Sequence, residues 1–223
     1  MLLATQREGH DHMATELVNN NFAEVAFGRT AMRSLDRNVK IPREEILEII
    51  KEATCAPSAV DTQPWHFLVV DTDEGKEKLD SYMWEVDRGR VTNASAAVVM
   101  LADVGWLEDF EYIAENYMAN DDEDARAYLT KLTVDWALGM SAHELELSVT
   151  CQSGLVAMML MLVLRAHGYD SGPMDALDRA GLVKDFGLDE DRYKISLVIA
   201  IGKATAEPII KWRKPPETVT TFA

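Results

Sequence analysis

Apolar positions recur along this chain at helical spacing in some stretches and as short continuous runs in others, and the alternation predicts its elements. Over residues 15–33, Leu17, Val18, Phe22, Val25, Ala26 and Phe27 fall at helical spacing, so a helix is expected; if it continues that far, Arg29 and Arg33 stand four apart on one face, either to share one anion or only to offset the charge of the helix end. Ile41-Pro42-Arg43-Glu44-Glu45 then places a proline and two acids at the start of a second helix, with Ile46, Leu47, Ile49, Ile50 and Ala53 on its apolar side. A third helix is expected over residues 73–90, capped by Thr72 or Asp73, with Leu79, Tyr82, Met83 and Val86 on one face. Residues 106–140 predict two helices separated by Asp121-Asp122-Glu123-Asp124, which reads as a solvated cap. A long central helix follows over residues 141–167, closed by Gly168, and a short one leads to Phe186-Gly187-Leu188.

The continuous runs predict strands over residues 67–71, 96–102 and 193–202, and the last two are apolar enough for central positions in a sheet. Between the second helix and the first strand lies Cys55-Ala56-Pro57-Ser58-Ala59-Val60-Asp61-Thr62-Gln63-Pro64-Trp65-His66-Phe67. Pro57 pushes Ala56 out of the helical region and Pro64 fixes φ before the chain extends, so a rigid turn is expected at a place suited to presenting binding groups.

Composition narrows the classes. The chain has 223 residues and a formal charge of −16, with an isoelectric point near 4.7, which argues against general binding to nucleic acid or an anionic membrane. The longest apolar run, residues 155–164, is shorter than the roughly 20 residues a bilayer requires. Cys55 and Cys151 are the two cysteines and form no metal-ligand spacing, so a reducing, cytoplasmic setting is expected. The polar stretch over residues 1–12 does not read as a secretion signal; we expect a flexible extension over residues 1–14, with Met13 as a candidate start, and a single domain over residues 15–223. His143-Glu144-Leu145-Glu146-Leu147 lacks the second histidine of a zinc-protease helix, and Gly139-Met140-Ser141-Ala142-His143 lacks the last glycine of a nucleophile elbow. His10 and His12 form at most a weak metal pair in the extension, and no metal is expected.

Several motifs in order resemble the FMN-dependent nitroreductase family. They are Arg29-x-x-x-Arg33, the Pro42-Arg43-Glu44-Glu45 helix start, and Ala56-Pro57-Ser58-Ala59 followed by Gln63-Pro64-Trp65-His66-Phe67. Thr30-Ala31 stands where the family usually has Arg-Ser, and Asp61 where it has Asn. The resemblance implies an α+β fold with a central mixed β-sheet flanked by helices, in a homodimer that exchanges C-terminal tails through a final strand near residues 217–222. It implies bound FMN, reduced by NAD(P)H, that passes two electrons to nitroaromatic or quinone acceptors by ping-pong hydride transfer. FMN chemistry would then need no catalytic side chain.

The implied flavin contacts map residue by residue. Arg29, Lys211 and Arg213 would hold the phosphate, Arg33 the N1/O2 edge, and Thr30 and Ala31 would lie between them. Pro57, Ser58, Ala59 and Asp61 would form one wall, reached across a dimer interface. Asp87 and Arg90 would approach the ring, and the Pro173-Met174-Asp175-Ala176 turn would direct a backbone amide at N5; alanine suits that place only with a negative φ. Trp106, Phe110, Tyr117 and Tyr128 are candidate substrate contacts, with core burial as the competing role of each. A Rossmann NAD site is not indicated, since no GxGxxG follows a strand. Two other readings stay open: a specialised flavin-dependent dehalogenase or oxidase of the same fold, and a non-catalytic flavin-binding protein.

Overall fold

A computed structural model describes residues 17–117 and 122–223. The 1–14 extension, the His10/His12 pair, the Met13 start, Thr15 and Asp121 lie outside the described residues. The helices are α1 Phe22–Gly28, α2 Arg43–Ala53, α3 Asp73–Tyr82, α4 Phe110–Tyr117, α5 Glu123–Leu138, α6 Ala142–Ala166 and α7 Leu182–Asp185. The strands are β1 Trp65–Val70, β2 Ala96–Asp103, β3 Asp170–Met174 and β4 Tyr193–Gly202.

The strands form one sheet in the order β1-β2-β4-β3, every neighbour antiparallel. The expected mixed sheet is thus corrected, because among the described residues parallel pairing is confined to a single bridge between Ala31 and Ser171. The long apolar runs mark the centre as expected. β2 is buried along its whole length, and its residues alternate between two cores. Ala96, Val98 and Met100 join Ile199 and Ile201 beneath α2 and α6, while Ala97, Val99 and Leu101 join Val198 and Ala200 on the α3 and α7 side. Each fully buried valine, leucine or isoleucine contributes roughly 1.5–3 kcal/mol. β3 was not foreseen, because Gly172 and Pro173 disguise it; a proline is tolerated there because β3 is an edge strand.

α6 begins as expected, with Ser141 and Glu144 in a reciprocal capping box, and its chain leaves through Gly168 at φ 78°. At 25 residues it has the length and apolarity of a membrane-crossing helix. Its inward face, however, includes Gln152 and Ser153 and packs on the sheet through Val156, Ala157, Leu160 and Leu164. Asp122 caps α5 by accepting the Ala125 N–H at 2.8 Å, the role expected of that acidic run. Trp106 and Phe110 meet edge to face at 5.6 Å in a third core, so of the aromatic candidates for substrate contact these two are core residues. Arg192 ties this region to the sheet through Asp103 and Asp109, at 2.7 and 2.6 Å.

Two helical expectations are corrected by long-range pairing. α1 stops at Gly28, because the following segment runs extended along β3; Val18, Phe22 and Phe27 are left exposed. α3 stops at Tyr82, because Met83 turns extended (φ −76°, ψ 143°) to bridge Leu177, and Val86 is exposed. Residues 216–218 form a short 3-10 turn within an exposed tail, where a final strand was expected; the described chain pairs no strand there.

Candidate functional site

The outer edge of β3 is where most of the expected site residues converge. After α1, Ala31 bridges Ser171, Met32 N–H donates to the Ser171 carbonyl at 2.9 Å, and Leu35 bridges Ala204. Buried Met32 and Leu35 anchor this segment, while Ala31 just before them and Arg33 between them are exposed. A Cβ on Gly172 would lie 2.3 Å from the Met32 carbonyl oxygen, so only glycine lets the segment approach so closely. Arg29 and Arg33 therefore project from extended backbone, not from a helix face. The Thr30 hydroxyl is engaged by the Met32 sulfur at 3.1 Å.

The tail returns to the same place. The Lys211 ammonium donates to the carbonyls of Phe27 at 2.5 Å and Arg29 at 2.8 Å, covering acceptors left open at the end of α1. Arg29 Nε and Nη1 are buried with no hydrogen-bond partner. Burial, and secondarily the charge of Arg213, pushes the Arg29 pKa down. None of the ion pairs among the described residues involves Arg29, Arg33, Lys211 or Arg213. Like charges gathered around buried, orphaned guanidinium donors fit a phosphate, which supplies several acceptor oxygens and offsetting charge.

Beyond β3 the same edge continues. Pro173 lies within β3 opposite Ile199, so the expected turn begins only after Met174. Asp175 is exposed and ion-paired with Arg179, and Ala176 has a negative φ, the condition under which alanine suits its place. The Ala176 carbonyl accepts the Trp84 N–H at 2.9 Å, and Leu177 bridges Met83. The turn thus held to the edge carries Asp87 and Arg90, which pair with each other at 2.8 Å. A cleft of about 690 Å³ opens beside Asp175 and Arg179, lined also by His143, Thr150, Lys194 and Ser196.

The Pro57–Asp61 group lies elsewhere. Its turn enters β1, at the same end of the sheet as Asp175 but on the opposite edge, three strand spacings or about 14 Å away. It is constrained as expected: Val60, Asp61 and Gln63 have φ of 51°, 51° and 45°, conformations that cost non-glycine residues energy. Ser58 Oγ accepts the Gln63 N–H at 3.0 Å, and the Ala59 N–H donates to Gln152 Oε1 at 2.8 Å. Gln152 escaped the sequence reading, although a buried amide within an apolar helix was the signal for it. Its own NH₂ donates to Ser148, which fixes which end faces the turn.

The nitroreductase family model matches residues 26–203. The chain belongs to the nitroreductase family. YdgI of Bacillus subtilis, named as an NAD(P)H nitroreductase, is 38% identical over 208 residues, covering 91% of this chain and 98% of its own. The CLA biosynthesis enone reductase of Lactiplantibacillus plantarum is 37% identical over 214 residues, covering 92% and 96%. A crystal structure from Exiguobacterium sibiricum, solved in complex with FMN, superposes with a TM-score of 0.88 at 33% identity and covers 94% of this chain and all of that one.

Proposed function

We propose that the chain is an FMN-dependent oxidoreductase that takes hydride from NAD(P)H and passes two electrons, in a second half-reaction, to a nitroaromatic, quinone or enone acceptor. The observation that carries this reading is Arg29, whose buried Nε and Nη1 lack a partner beside Arg213, in a protein of charge −16. Arg29 and Arg213, with the remaining proton of the Lys211 ammonium, would hold the phosphate, and Lys211 fixes the tail against α1. Arg33 would place charge at the N1/O2 edge, Thr30 and Ala31 would line the approach to it, and Asp87 with Arg90 would meet the ring. The Ala176 amide would face N5, the atom through which bound FMN supplies hydride transfer. Among the residues so placed, none is assigned as a general acid or base.

The site is completed, in this reading, by a second copy of the chain, because Pro57, Ser58, Ala59 and Asp61 sit across the sheet from the β3 edge. An isologous homodimer would also cover the exposed Leu147, Leu155 and Met158 stripe of α6 and tail residues Ile210, Trp212 and Phe222. The exposed free thiols of Cys55 and Cys151 suit a cytoplasmic setting. The enone acceptor is included because a relative of 37% identity carries that name.

The test is to incubate the purified protein with FMN, remove the excess by gel filtration and record the visible spectrum. Flavin bands should co-elute with a dimer and bleach anaerobically with NADH or NADPH. A colourless protein would sink the proposal. Flavin that neither nucleotide bleaches would leave only a binding protein.

A further inference from the structure

We propose that Asp87 sets the electron affinity of the bound flavin by cancelling the charge of Arg90 at the ring end of the site. The inference rests on the FMN reading above. The cations along the β3 edge fall into two groups. Arg29, Arg33, Lys211 and Arg213 share no ion pair with an acid among the described residues, whereas Arg90 Nη1 meets Asp87 Oδ1 at 2.8 Å. The side chains of that pair are only 17% and 9% exposed. Asp87 N–H donates to the Trp84 carbonyl at 2.8 Å, and Trp84 N–H donates to Ala176, so the pair is fastened to the loop that faces the ring.

Two consequences follow from the chemistry. An ionised carboxylate only accepts hydrogen bonds and a guanidinium only donates, so the pair presents an acceptor beside donors. That order complements the pyrimidine edge of a flavin, where the N3–H donor lies next to O2. Two-electron reduction leaves negative charge on the N1/O2 side. A bare guanidinium there would stabilise the reduced form, while a guanidinium already neutralised by a carboxylate does so far less. Burial strengthens the effect, because a partly desolvated charge is poorly screened. An amide at position 87 would keep the shape and release the charge of Arg90.

The experiment compares FMN-loaded wild type with Asp87→Asn, Arg90→Gln and the double variant. Midpoint potentials are read by dye-equilibrated reductive titration and folding by apoprotein melting. Asp87→Asn should raise the preference for reduced over oxidised FMN about tenfold, a positive shift of about 30 mV for a two-electron couple. Arg90→Gln, which leaves the carboxylate unpaired, should shift the potential the other way. The double variant should return to within about threefold of wild type, because one neutral pair replaces another. An unmoved or lowered potential in Asp87→Asn would overturn the proposal. If that variant melts before it can be loaded, Arg90→Gln decides alone, and a potential at or above that of wild type overturns it. Wild-type protein that fails to retain FMN would instead remove the reading beneath the proposal, so the two failures are told apart.

Discussion

β2 is buried along its whole length and has a strand on either side, whereas among the described residues β3 has a strand on one side and, on the other, only the one-residue bridge to Ala31. In the centre, side chains alternate between two apolar cores. Along the β3 edge, extended and irregular segments from four parts of the chain meet, held by bridges, backbone hydrogen bonds and a lysine that reaches two carbonyls. The edge holds a guanidinium whose buried donors have no partner. This fold thus separates what keeps it folded from what it can bind. Removing a central side chain should cost stability and leave ligand affinity almost unchanged, and removing an edge cation should do the reverse.

The largest stability effect is expected at Leu160, which is 1% exposed on the face of α6 that packs beneath the sheet. Leu160→Ala should destabilise the apoprotein by about 2–5 kcal/mol, since a cavity adds to the lost transfer free energy. Urea unfolding measures this, and FMN titration of the fraction that remains folded should give a dissociation constant within about threefold of wild type. Affinity that falls in step with stability would erase the distinction between centre and edge.

The same division decides what could be read from the sequence. β2, β4 and α6 were legible because burial imposes a continuous or periodic apolar pattern, and because Ser141 and Glu144 announce a helix start locally. The edge was not legible in that way. Met32 and Leu35 prolong the helical spacing of α1, yet they are anchors on the sheet. Met83 fits the apolar face of α3, yet it pairs with Leu177, far away in sequence, and so ends the helix. β3 contains Gly172 and Pro173, which local propensity reads as a turn. Long-range pairing overrides local preference at each of these places. The basic residues of the site were found only through a family resemblance, since nothing in their spacing tells a phosphate clamp from a helix-end charge.

Gly172 tests the junction between the two regions. Its missing side chain is what lets the Arg29–Arg33 segment lie against β3, and an added Cβ would fall 2.3 Å from a backbone oxygen that cannot swing aside. Gly172→Ala should destabilise by about 1–3 kcal/mol, as overpacking does. It should also weaken FMN binding, because the segment carrying Arg29 and Arg33 must move. Loss of stability with unchanged affinity would show that the placement of this segment does not matter to the ligand.

The smallest stability effect, and the widest separation from affinity, is expected at Arg29. Its buried, unpartnered Nε and Nη1 are a cost in the apoprotein, and Arg213 nearby adds repulsion. Arg29→Met keeps the length of the side chain and removes both penalties, so the apoprotein should melt no lower than wild type. FMN should then bind roughly 10- to 150-fold more weakly, the equivalent of losing charge-assisted hydrogen bonds worth about 1.5–3 kcal/mol. Apoprotein melting and fluorescence titration with FMN read the two quantities independently. A variant that melts lower while binding FMN as well as wild type would make Arg29 a structural residue, and the β3 edge would lose the observation on which its phosphate reading stands.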